Sequence, residues 1–370
     1  MIQLQQTGLI FRNPTPFLWA RNAWHPTLVQ LDDGEILAAF DIGQAVGSPD
    51  YHTHLARSTD GGLTWSAPTR FFEDPVAKSG TLSRCPVRIS RMADGMLVGF
   101  GVRRYFEHPE IGTQNPLTSG HSPCDLVLLS SRDDGRTWDG PTNFAPPLDG
   151  PVFEICHGIV ELSDGRWLVP TSTYPNWEGE APDGQKAIAL VSHDKGRTWP
   201  EFLDVMDGSA DSIIYQEQSL IELPDGRLLS ICWPFDESSG RSETLTPYSI
   251  SEDRQTFPPP QSTGLHGETA KVISLGDDRV LCLYRRTDKP GLWANLARIT
   301  GDQWVNLEES PMWEGADSKM EGQTNPSVEM AALKFGFPNL QLLPGGDILA
   351  AFWCCEDCIY NIRWLRISVS

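Results

Sequence analysis

Three histidines, two arginine pairs and a set of carboxylates and phenols are the side chains here best suited to chemistry. They stand at repeated distances from one short turn motif. About nine residues upstream of a recurring Asp-Gly turn come Trp24 with His25, Arg84 with Cys85, Cys156 with His157, Tyr215 with Glu217, His266 with Glu268, and Phe335 with Phe337. Seven to ten residues downstream of the same turns come Asp41, Arg103 and Arg104 with Tyr105, Tyr174, Asp236, and Arg285 with Arg286. Taken singly, each reads as a satisfied structural group or a solvated charge. Gathered at one end of one fold, they read as a site. Guanidinium groups in a concavity match a carboxylate bidentately, so the expected ligand is a small acidic sugar or oligosaccharide, or another small acid. Trp24, Tyr105, Tyr174, Trp177 and Trp293 offer flat surfaces to its rings.

The turn motif accounts for the spacing. Its clearest copy runs from Leu220 to Leu229, two apolar runs flanking Pro224-Asp225-Gly226, which is a tight-hairpin signal. The unit recurs around Gly34, Gly95 and Gly165, and more weakly around Asp278 and Gly346, in steps of 52 to 70 residues. Such steps are too long for a single hairpin and suit four strands with their loops. The pattern predicts an all-β chain, a six-bladed β-propeller of four-stranded antiparallel blades. The last blade has runs only at Leu340 to Leu343, Ile348 to Trp353 and Ile359 to Val369, while Ile2 to Ile10 has no hairpin of its own. The N-terminal strand is therefore expected to close the last blade from outside, which protects two sheet edges at once.

A second repeat lies out of phase with the first. Ser58-Thr59-Asp60-Gly61-Gly62-Leu63-Thr64-Trp65 returns as Ser131 to Trp138 and as Ser192 to Trp199, with degraded copies at Ser251 to Phe257 and Thr300 to Trp304. The Asp hydrogen-bonds the backbone ahead of it, a Gly takes positive φ, and the Trp packs the turn onto its blade. These are Asp-boxes. With the six hairpins they make the chain resemble the sialidase superfamily of six-bladed propellers over nearly its whole length.

That resemblance implies roles for particular residues. Glu217, in Glu217-Gln218-Ser219-Leu220, matches the family's Glu that polarises the nucleophile, and Asp50 is placed like the family's acid/base Asp, with Asp41 as the nearby alternative. Arg241 corresponds to the second of three family arginines, and Arg285 or Arg286 to the third. Two positions depart from the pattern: Trp24 stands where the first arginine belongs, and Phe337 stands where the nucleophilic Tyr belongs. Phenylalanine has no nucleophilic oxygen, so a tyrosyl-sugar intermediate is not expected.

Three reaction classes stay open. A glycosidase would use Asp50 or Asp41 as acid and Glu217 to activate water. A lyase would neutralise a uronate carboxylate with Arg while His157, His266, His25 or Tyr215 removes the adjacent proton. A sugar-binding propeller would do neither. Fold alone does not decide among them.

Composition narrows the field further. A net charge of −20 excludes a nucleic-acid partner, which needs a basic face. No apolar stretch reaches membrane-spanning length, and the first 20 residues lack a basic start followed by a long apolar run, so the expected location is the cytoplasm. The eight cysteines are too few and irregular for a disulfide framework, and Cys355-Glu356-Asp357-Cys358 has no second pair to complete a zinc site. No phosphate loop or His-Glu-x-x-His motif is present, so no cofactor or metal is expected. No linker divides residues 1–370, and they are read as one domain. The sequence does not specify an oligomeric state.

Overall fold

The computed structural model describes residues 1–149, 152–236, 245–316 and 332–370. Six antiparallel sheets stand around a common axis as the blades of a propeller. In the first blade, Asn22–Gln30 lies innermost, followed outward by Ile36–Gly43, His52–Ser58 and Thr69–Arg70. The second strands carry long apolar runs, such as Ile36–Gly43 and Leu228–Asp236, and are buried almost throughout. Each lies in a sheet packed on both faces, so strict alternation gives way to a continuous apolar run. Outer strands have one covered face at most, and Asp139–Phe144 is correspondingly polar and exposed.

Six hydrophobic clusters fill the six gaps between blades. Leu37, Val87 and Val127 join the first blade to the second, and Ile10, Phe40, Trp353 and Trp364 join the sixth to the first. The ring closes as the N-terminal segment predicts: Ile2–Phe11 pairs antiparallel with Ile359–Val369 and completes the sixth blade.

The Asp-boxes form self-contained turns between third and fourth strands. Asp60 accepts hydrogen bonds from the backbone N–H of Leu63 and Thr64 and from the Thr64 hydroxyl, and these hold its carboxyl down at about 2. The degraded fourth copy keeps this geometry through Asp253 and Thr256. The fifth is reduced to a tight hairpin in which Thr300 pairs with Gln303.

One irregularity of the inner strands sets up the site. In four blades the inner strand carries one extra residue at the same height, between Trp24 and Thr27, Gln216 and Ser219, Glu268 and Lys271, and Gly336 and Asn339. The first bulged residue is left-handed each time: His25 (φ 52), Glu217 (φ 49), Thr269 (φ 49) and Phe337 (φ 49). Positive φ costs a non-glycine residue on the order of 1 kcal/mol or more. The repeated bulge re-aims these four side chains at the axis.

Ring closure has a measurable consequence. Ile2, Ile10 and Phe11 are buried in the two flanking clusters, and each contributes roughly 1.5–3 kcal/mol of burial. Deleting residues 1–11 is expected to lower the unfolding free energy by about 5 kcal/mol or more, read as a drop in the urea midpoint. A midpoint that stays put would show that the strand closes nothing.

Candidate active site

The floor of the funnel is Phe337, a buried ring between two cations. Lys271 Nζ stands 4.7 Å and the Arg88 guanidinium 5.4 Å from its centroid, and His25 packs edge-on at 4.9 Å. Lys271 is buried and donates to the carbonyls of Cys156 (3.1 Å), Glu217 (2.9 Å) and Gln218 (3.1 Å). Below this floor, a channel of about 380 Å³ opens toward the hairpin end, lined by Thr27, His157, Ser219, Lys271 and Asn339 among others.

The Glu154 side chain meets the Glu217 backbone where the third and fourth blades adjoin. The backbone N–H of Glu217 donates to Glu154 Oε2 at 2.9 Å, and Glu217 Oε2 is buried with no hydrogen-bond partner. Burial, with the Glu217 charge second, pushes the Glu154 carboxyl up to about 7. Tyr174 donates its hydroxyl to Gln216 Oε1 at 3.0 Å and stacks on His121 at 4.6 Å. Burial and the nearby Glu154 carboxylate hold the Tyr174 phenol well above its usual range.

The opposite wall is basic and aromatic. His25 Nδ1 lies 2.5 Å from Tyr51 Oη and 3.9 Å from Asp41 Oδ2. Burial, then Arg88, Arg84 and Lys271, keep His25 well below the usual imidazole range, so it is neutral at neutral pH. Its Nε2 is left for the funnel. Asp41 itself is fully buried, paired with Arg88 at 2.8 Å and accepting from Thr53 at 2.5 Å. Arg84 and Arg104 stand opposite each other in register on the second blade.

The other residues singled out by register scatter more widely. Trp24 is buried, its ring against Tyr51 and Tyr360. Asp50 is exposed and closes the 44–50 loop by accepting from Gln44 N–H and the Ser48 hydroxyl. His157 lies beneath the floor, pushed down to about 4 by burial and by Lys271. His266 is exposed, and its backbone carbonyl accepts from Thr287 N–H. Tyr215 packs into the cluster between the third and fourth blades. Arg103 is tied to Asp74 and Asp125, Arg285 to Glu268, and Arg286 to Asp288 and Glu309. Arg241 lies outside the described residues.

Register missed the partner of Glu217. In the third blade Val152–Phe153 pairs with Tyr174 and Thr173, and the ladder resumes only at Val160. The interruption adds residues to the inner strand. An offset of nine from Gly165 therefore falls on Cys156 and misses Glu154, which lies eleven residues upstream.

Six blades, Asp-boxes and a polar axial funnel define a sialidase-type propeller. The chain matches the BNR repeat-like domain over residues 34–330, and it belongs to that family. A sialidase of Bacteroides fragilis is 29% identical over 195 residues, which is 47% of this chain and 34% of that protein. The chain thus matches about a third of that relative's length. Among solved structures, a protein of unknown function from Dyadobacter fermentans superposes with TM-score 0.74 at 18% identity, covering 100% of this chain and 99% of that one. A Hadza microbial sialidase superposes with TM-score 0.68 at 15% identity, covering 93% of this chain and 65% of that one.

The raised carboxyl of Glu154 makes stability depend on pH. Its proton is held more tightly in the folded chain than in the unfolded one. The resulting stabilisation is complete below the usual 4.5 and is lost as pH rises through about 7, a difference of about 3 kcal/mol. Glu154→Gln mimics the protonated form. Calorimetric melting between pH 5 and 8 is expected to show the wild-type temperature falling and the variant's staying nearly level; parallel declines would exclude Glu154 as the titrating group.

Proposed function

We propose that this chain is a glycoside hydrolase that acts on a carboxylate-bearing sugar and does not pass through a tyrosyl-sugar intermediate. The observation that carries the reading is the Glu154 carboxyl, which accepts from the Glu217 backbone N–H and is raised to about 7 by burial and then by the Glu217 charge. A buried carboxyl that keeps its proton to about 7 is suited to act as a general acid. Glu154 gives its proton to the leaving glycosidic oxygen as the carbon–oxygen bond breaks. Glu217 takes a proton from the water whose oxygen bonds to the anomeric carbon. Phe337 supplies a face under the sugar ring where the family's tyrosine would stand.

The charge around the funnel supports an acidic substrate. Arg84, Arg88, Arg104, Arg285 and Lys271 stand against Asp41, Glu154, Glu217 and Glu268, and the Glu154 carboxyl keeps its proton up to about 7. The funnel therefore carries a local positive excess inside a chain of net charge −20. Similarity to proteins named as sialidases points the same way.

A second reading rests on His25. With the Tyr51 hydroxyl directed to Asp41, Nδ1–H of the neutral His25 imidazole donates to Tyr51 Oη and Nε2 accepts a proton, as in abstraction beside a uronate carboxylate. The two chemistries leave different products. Incubated with a panel of sialosides and uronides in ¹⁸O-labelled water, a hydrolase puts the label into the released sugar, whereas a lyase product carries no label and absorbs in the ultraviolet. The label is expected, and Glu217→Gln is expected to lower kcat by about 100-fold or more. An unlabelled, ultraviolet-absorbing product would transfer the chemistry to His25. Absence of turnover across the panel would leave a sugar-binding propeller.

A further inference from the structure

An acidic substrate needs a counter-charge, and most buried arginines near the funnel already have theirs. Arg88, Arg103, Arg285 and Arg286 each pair with at least one carboxylate at 2.6–2.9 Å. Arg84 and Arg104 differ. They are directly opposed on neighbouring strands, so their side chains share one face of the second blade. Arg84 donates to the Thr113 hydroxyl at 3.1 Å, and Arg104 to the Phe153 carbonyl at 2.6 Å. Among the described residues neither has an ion-pair partner. Arg84 Nε and Arg104 Nη1 are buried with no hydrogen bond.

Two facing guanidinium groups without a counter-ion destabilise a fold. Like charges directly opposite repel, and a desolvated charge left unpaired is costly. The strain registers in Arg84, which burial and the facing Arg104 draw down to about 10. Nothing nearby adds to the repulsion: burial keeps His25 and His121, the imidazoles on either side, largely neutral. The 44–50 loop approaches the Arg84 guanidinium at Gly47. A Cβ at Gly47 (φ 76) would stand 2.6 Å from Arg84 Nη1, so only glycine lets the loop approach this closely.

We propose that Arg84 and Arg104 form the carboxylate clamp of the funnel, each guanidinium donating to a sugar carboxylate that bridges them. The inference rests on the acidic-sugar reading and locates the acid group on the second blade. Arg104 is bonded to the carbonyl of the residue preceding Glu154. A ring whose carboxylate sits in the clamp therefore extends over Phe337 toward the Glu154–Glu217 wall, with the Tyr174–His121 stack at its side. The clamp sets both the charge requirement and the orientation of the ring.

The test uses the full chain and three probes, glucuronate, N-acetylneuraminate and glucose, titrated calorimetrically into wild type, Arg84→Gln, Arg104→Gln and Arg84→Lys. Wild type is expected to bind at least one of the acids at least tenfold more tightly than glucose. Each variant is expected to lose that preference by tenfold or more, including Arg84→Lys, which keeps the charge and loses the fork. The unliganded Gln variants are expected to melt no lower than wild type, because removing one guanidinium relieves the repulsion. A purely structural role would lower the melting temperature and leave the preference intact. If wild type prefers an acid and the variants keep that preference, the clamp is wrong and the acidic-sugar reading stands. If wild type binds glucose as well as the acids, both fall.

Discussion

The funnel depends on one buried ammonium group. Lys271 reaches from the inner strand of the fifth blade to carbonyls of the third and fourth, at Cys156, Glu217 and Gln218. Inner strands of neighbouring blades do not share backbone ladders, so contacts across the axis must come from side chains. Lys271 supplies three, two of them to the bulge that carries Glu217. Its charge also offsets the Glu154 carboxylate and disfavours protonation of His157 and His25. One side chain thereby holds the bulge, supports the floor and sets the charge states around it. Removing it would leave three carbonyls and two carboxylates facing a void, a costly arrangement for buried polar groups.

Around that anchor the blades divide their labour by height. At the bulge, four blades send one side chain each toward the axis at the expense of backbone strain. Just below, the Asn339 side chain accepts from Leu28 N–H, the Thr27 hydroxyl from Ile89 N–H and the Ser219 hydroxyl from Val272 N–H, stitching blade to blade. Above the bulge lie the ion pairs and the opposed arginines. Trp24 and Phe337 fit this scheme as packing residues. Trp24 fills the junction of the first and sixth blades with aromatic area, and Phe337 turns a potential nucleophile position into a cation-bearing floor.

The residues read from fixed spacing divide along the same line. His25, Glu217 and Phe337 lie at the same offset of nine from their turns because their strands share one bulge and one length. Arg103 and Arg104, read from the same spacing, are adjacent on one strand and point to opposite faces. One faces Arg84, and the other is bound by Asp74. Glu154 escaped because the third blade breaks its inner strand, and an offset counted along the chain does not register an interruption of the ladder.

The sequence alone determined the all-β propeller, its six blades and the closing role of residues 2–11. These follow from local turn chemistry and apolar runs, in which each residue's conformation is decided by near neighbours and by the repeat. It also carries Trp24 and Phe337 at the positions where the resemblance leads one to expect an arginine and a tyrosine. Only the tertiary structure decided which charges meet. Whether an arginine is tied to an internal carboxylate or left facing another arginine depends on the tertiary fold, which joins blades more than a hundred residues apart, as with Lys271 and Cys156. Glu154 acquires its raised carboxyl by the same route, from desolvation and from a charge that arrives with the neighbouring blade.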